Sequence, residues 1–176
     1  MMELVSQASF SDAHECRSIP IIAANLHRLI RPEQSQIWAV LHQKDDPDRI
    51  RYLLTAGFLG RLCLSGEIFE LDCEKWGEAL EAVRFYGRVR RIIRDGFTGV
   101  IRCTARAYNS PEGYQAVLRT LGDEALLVVH TFAGGANPPI ADLLEGYETA
   151  EKFGGELDGD FQGAVFHLRR RQGGAL

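Results

Sequence analysis

No stretch of this 176-residue sequence approaches the roughly 18 consecutive apolar residues of a transmembrane helix. None of the four cysteines, Cys16, Cys63, Cys73 and Cys103, forms a C-x-x-C pair, which removes the commonest zinc and dithiol patterns. A basic excess is also missing. Lys and Arg number 20 against 24 Asp and Glu, a net charge of −4, so general nucleic-acid binding is not expected. No Lys-Ser or Lys-Thr follows a glycine loop, which disfavours a phosphate-loop NTPase, and no Gly-x-Ser-x-Gly elbow marks a hydrolase. The first ten residues lack a basic start and an apolar core, so no signal peptide is expected and the expected location is cytoplasmic. Internal repeats and low-complexity segments are absent as well.

A hydrophobic content of 45% with 25% charged residues excludes wholesale disorder and supports one packed core. The expected organisation is a polar, flexible arm over 1–17, one globular domain over 18–171 and a flexible tail over 172–176. Within the arm, Asp12, His14 and Cys16 alternate and would share a face if extended, as a metal half-site or thiol–imidazole pair would. Short motifs of this kind arise easily by chance, so no metal and no cofactor are expected.

Along the chain, Ser18 and Pro20 open a helix with Ile22, Leu26, Leu29 and Ile30 on one face. Over 36–42, Ile37, Ala39 and Leu41 alternate as in a strand, while Ile37, Val40 and Leu41 also fit a helical stripe; a strand is expected. Asp46 caps and Pro47 starts a second helix that buries Ile50, Leu53, Leu54 and Phe58. The run 62–71 reads as extended, with a tight turn at Ser65-Gly66. A long helix follows over 72–95, with Trp76, Ala79, Val83, Tyr86, Val89 and Ile93 as the apparent buried stripe. Gly87 inside it suggests close approach of another backbone. The segment 98–107 alternates with Arg102, Thr104 and Arg106 on one face, which reads as a partner-binding strand. Helices are expected over 111–122 and from Pro138 to about 154, and strands over 125–132 and 161–168.

Helices alternating with strands point to an α/β fold, one domain with a mixed β-sheet and helices mainly on one face. An α+β two-layer sandwich is the alternative if 62–71 forms an antiparallel hairpin. The absence of an assembled catalytic set favours a non-enzymatic regulatory or adaptor domain acting through a protein partner or self-association. A small-molecule or anion-binding enzyme is the alternative, with its site at the strand–loop–helix junction 130–138. There His130 is the candidate acid or base. Thr131, Gly134, Gly135 and Asn137 would hold a small anionic ligand at a helix start. No membrane partner is expected.

Overall fold

A computed structural model describes residues 6–9, 16–102 and 109–171, Arg102 by its backbone alone. The first half builds parallel strands joined by helices. Strand β1 (Ala8–Ser9), helix α1 (Ile19–Leu26), β2 (Ser35–Leu41), α2 (Pro47–Gly57), β3 (Arg61–Gly66) and α3 (Cys73–Asp95) follow one another, and the strands pair in the order β1-β2-β3. The second half is antiparallel. Strands β4 (Phe97–Arg102), β5 (Tyr114–Leu121), β6 (Glu124–Thr131), β7 (Tyr147–Gly154) and β8 (Gly163–Arg170) form a second sheet in the order β4-β5-β6-β8-β7. One short helix, α4 (Ile140–Leu143), interrupts them.

Helix α2 lies between the sheets, packing on β2 on one side and on β6 and β8 on the other. Asp46 caps it by accepting from the Arg49 amide, and Pro47 starts it with φ already set. Ile50, Leu53, Leu54 and Phe58 are fully buried, as the helical spacing requires. An aromatic cluster ties three elements together, with the Phe58 ring 5.5 Å from Phe85 of α3 and 5.9 Å from Phe153 of β7. Strand β2 alternates strictly: Ile37, Ala39 and Leu41 are buried against the helices, while Trp38 and Val40 on the opposite face are half-buried. Its partner strand β3 is nowhere fully buried.

The α/β class and single domain hold, with parallel and antiparallel pairing divided between two sheets. Four local expectations need correction. The segment 62–71 is not a hairpin. Strand β3 runs parallel to β2, and Gly66 (φ 89) turns the chain so tightly that a Cβ there would lie 2.3 Å from the Leu41 carbonyl. The buried stripe of α3 is Ala79, Ala82, Phe85, Val89, Ile92 and Ile93, while Trp76 and Val83 are exposed, 41% and 44%. Gly87 faces open space, since a Cβ added there would have nothing within 4 Å among the described residues. The segments 114–121 and 147–154 are strands.

The helix-like pattern of β5 has a physical cause. Both faces of the second sheet are covered, so the apolar/polar alternation that marks a half-wet strand is lost. Val117 faces the helices, whereas Ala116 and the partly buried Tyr114 and Leu118 pack in a second core on the far side. Two inward positions are polar: Gln115 donates to the Pro20 carbonyl at 3.0 Å, and Arg119 reaches the end of α2. Tyr114, Val117, Leu118 and Leu121 then mimic a helical stripe. The legible signal was Gly122-Asp123, the two-residue connection that closes the β5–β6 hairpin. Similarly, Ile140, Leu143, Leu144 and Tyr147 do pack together against that second core, but α4 is a single turn and Gly146 (φ 80) ends it before β7.

Candidate functional site

The junction picked out from sequence is ordered by internal contacts. His130 is fully buried in β6, its Nε2 3.3 Å from the Tyr52 carbonyl and its ring 5.0 Å from the Tyr52 ring, edge to face. Its Nδ1 has no hydrogen-bond partner among the described residues. Burial pushes its pKa down to about 3, partly opposed by the Tyr52 carbonyl, so the imidazole is neutral. Thr131, the neighbouring residue, donates from Oγ1 to the Gly159 carbonyl at 2.8 Å and accepts from the Gln162 amide at 2.9 Å. The Gly134 amide donates to Asp160 Oδ1 at 3.0 Å, and the Asn137 amide donates to the Leu157 carbonyl at 2.7 Å. Gly135 is where two backbones meet, because a Cβ there would lie 1.7 Å from the Gly113 carbonyl oxygen.

Thr131, Gly134 and Asn137 are therefore brought together, and what they meet is the segment 157–162 of the same chain. The carboxylate at the Gly134 amide is the chain's own Asp160. Asn137 does not cap a helix: it has φ 56, and the position before the one-turn α4 is Pro139. Of the predicted partner-binding strand, Arg102 closes β4 by its backbone, and Thr104 and Arg106 lie outside the described residues. Asp12, His14 and Cys103 lie outside them too, and Cys16 is buried in the core. Among the described residues no group of three or more His, Cys, Asp or Glu side chains is placed to hold a metal ion. No helix among them is long and apolar enough to cross a membrane.

A second constellation lies where the parallel strands end, the edge at which α/β sheets present their binding loops. The loops after β2 and β3 are cross-linked there. Gln43 clamps Asp72 reciprocally, its Nε2 donating to Asp72 Oδ2 at 3.0 Å and its Oε1 accepting from the Asp72 amide at 2.9 Å. The Gln43 amide donates to Glu67 Oε2 at 3.3 Å, and His42 Nδ1 lies 3.4 Å from the same oxygen. Asp45, buried, accepts from the His42 amide at 2.9 Å and pairs with Arg49 at 3.0 Å. Asp72 accepts from Lys75 Nζ at 2.8 Å, and that bond, with the Lys75 amide and Gln43, holds its carboxyl far below the usual range. Phe69 stands at the tip of the second loop, fully exposed.

Beside this edge, where α1 and α2 begin, a pocket of about 370 Å³ opens against Arg17, Arg49, Tyr52, Asp160 and Phe161. Arg17 stacks over the Phe161 ring at 4.4 Å, and Tyr52 Oη donates to the Arg17 carbonyl at 2.8 Å. Phe161 has φ 55, a strained conformation for a bulky residue. Sequence reading missed this end of the molecule because the parallel pairing of β1, β2 and β3 that gathers its loops was not legible. The one available signal was the polar run 42–46 following an alternating strand.

No protein-family model matches the sequence, and no curated protein matches it. Solved structures do match in fold. One is an α-galactosidase from Lactobacillus brevis, with TM-score 0.65 and 11% identity over 94% of this chain and 26% of that one. The GH36 α-galactosidase AgaA from Geobacillus stearothermophilus matches with TM-score 0.63 and 17% identity over 91% of this chain and 25% of that one. The galactosidase domain of an α-galactosidase–sucrose kinase, AgaSK, gives 0.63 and 11% over 91% of this chain and 25% of that one. The chain thus spans about a quarter of the length of the solved structures it matches. At these identities the likeness is one of fold. It corrects the expectation of a non-enzymatic regulatory or adaptor domain acting through a protein partner or self-association, because the structural neighbours are glycosidase domains.

Proposed function

We propose that this chain is a glycoside hydrolase-related domain that binds galactosyl oligosaccharides at the carboxyl end of β2 and β3. The observation that carries the reading is the fold match to α-galactosidases over nearly the whole chain. The loop chemistry at the strand ends is consistent with it. Sugar recognition needs hydroxyl partners of both kinds, and the His42 imidazole and the Glu67 carboxylate stand on one edge that Gln43 holds in place. Two forms of AgaA have been solved with raffinose and stachyose, which makes these the natural probes.

The arrangement supports recognition better than cleavage. Glycoside hydrolysis uses a pair of carboxyl groups, one held protonated and one free to attack or to activate water. Here Asp45 is paired with Arg49 and Asp72 with Lys75, both committed to holding a loop, while Glu67 meets the Gln43 amide through Oε2. Titrating the intact chain with raffinose and stachyose, followed by amide resonances, is expected to show saturable binding with dissociation constants on the order of 1 mM. Shifts should concentrate on 42–46 and 67–72. Resonances that stay unmoved at tens of millimolar of either sugar would overturn the reading.

A further inference from the structure

Phe69 is the one fully exposed large apolar side chain among the described residues of the parallel half that sits on an anchored loop, and its surroundings suggest why. A lone exposed aromatic is common on protein surfaces and usually needs no explanation. An exposed aromatic on a loop whose two ends are both tied down is different, because its position is fixed without any packing of its own. At the start of loop 67–72 the Glu67 amide donates to the Leu41 carbonyl at 2.8 Å, and the Glu67 carboxylate receives the Gln43 amide. At its end, Asp72 is gripped by both atoms of the Gln43 side-chain amide and caps α3 through the Glu74 and Lys75 amides. Within the loop, the Glu70 amide donates back to the Glu67 carbonyl at 2.9 Å. The turn is held rigid while the ring is left in water.

That combination suits a ligand with one apolar face and a polar rim. A pyranose has this form: the C–H groups on one face can lie on an aromatic ring, while the hydroxyls around it need hydrogen-bond partners. Two residues before Phe69 is Glu67, whose carboxylate meets the Gln43 amide and lies near His42 Nδ1 through Oε2, not Oε1. We propose that Phe69 is the stacking platform of a sugar subsite at the end of β3, with Glu67 accepting from a sugar hydroxyl and Gln43 acting as the positioning residue that fixes the loop. The proposal rests on the galactosyl-oligosaccharide reading above and assigns it an anchor.

The experiment is a saturation-transfer and titration series with raffinose on the intact chain. Irradiating the aromatic protons should transfer magnetisation to the ring C–H protons of one sugar face. Phe69→Ala should abolish that transfer and weaken binding roughly five- to tenfold, the scale of one aromatic stacking contact. Phe69→Tyr should restore both. Gln43→Ala should weaken binding and broaden the Phe69 ring resonances while leaving the melting temperature nearly unchanged. Phe97→Ala, which removes an 80% exposed aromatic from β4 of the second sheet, should bind as the unmodified chain does. Undiminished binding and transfer in Phe69→Ala would overturn the platform while leaving the oligosaccharide reading intact. Absence of raffinose binding by the unmodified chain would instead remove the reading on which the platform depends.

Discussion

Lowering the pH from 7 to 5 is expected to remove about 2 kcal/mol of stability through His130 alone. The imidazole is wholly inside the protein, faces the Tyr52 ring and carbonyl, and has a folded-state pKa of about 3. An unfolded histidine titrates near 6.5, so below that pH the unfolded chain binds a proton that the folded chain refuses. Stability from the neutral, buried ring is therefore complete above about pH 6.5. It falls by about 1.4 kcal/mol per pH unit as acid is added, until the folded group itself titrates near pH 3. His130→Gln keeps a polar side chain there without a titrating ring, so its unfolding free energy should be flatter between pH 7 and 5. The check is urea unfolding of both proteins across that range. Parallel pH profiles would show that His130 is not the buried base described. Asp72 acts in the opposite part of the scale. Its lowered pKa contributes stability above the ordinary carboxylate range that is lost only as the pH falls toward strong acid.

The larger effect belongs to Arg119. Its guanidinium is almost completely enclosed, and among the described residues no carboxylate is hydrogen-bonded to it. The donors instead face the end of α2: NH2 donates to the Leu59 carbonyl at 2.7 Å, NH1 to the Phe58 carbonyl at 3.2 Å, and Nε to Thr98 Oγ1 at 2.8 Å. A helix leaves its last carbonyls without intrahelical donors and carries partial negative charge there, so a buried cation can be stable in this place. Burial lowers the pKa of Arg119 to about 10, which still leaves it charged at neutral pH. Arg119→Ala removes the donors to two buried carbonyls and to the part-buried Thr98 hydroxyl, and opens a cavity between α2 and β5. The expected loss is about 3–5 kcal/mol. Arg119→Met fills the space but leaves the carbonyls unpaired, and should recover about half of that. Denaturant unfolding measures both. A loss within about 1 kcal/mol for Arg119→Ala would mean that water satisfies the α2 end as well as the guanidinium does.

These two residues also show where sequence reading stopped. His130 was visible as a lone imidazole in an apolar strand, and its two readings, packed or catalytic, could be stated but not separated, because nothing in the order of residues says that Tyr52 covers it. Arg119 lies within 111–122, a segment that reads as a helix, and nothing in its neighbours singles it out. Its burial depends on α2 ending over β5, a contact between segments about 60 residues apart.

What the sequence determined by itself was local. Asp46-Pro47 and Asp72 start α2 and α3, Pro20 starts α1, and the apolar run from Ala125 makes β6, because caps, fixed φ and hydrophobic spacing act over a few residues. The segment of Ile37, Ala39 and Leu41 fitted a strand or a helix by its spacing, and pairing with β3 made it β2. Tertiary structure alone decided how those pieces meet. It made β5 a strand, since cores on both sides of the second sheet there erase the period of two and give polar Gln115 and Arg119 inward partners, and it made β7 the edge strand beside β8. It also set β2 and β3 side by side and parallel, bringing Gln43 to Asp72 and His42 to Glu67 across 29 and 25 residues of chain. Hydrogen bonds of that reach leave no periodic trace, because each needs only one suitable residue at each end and a fold to bring the ends together.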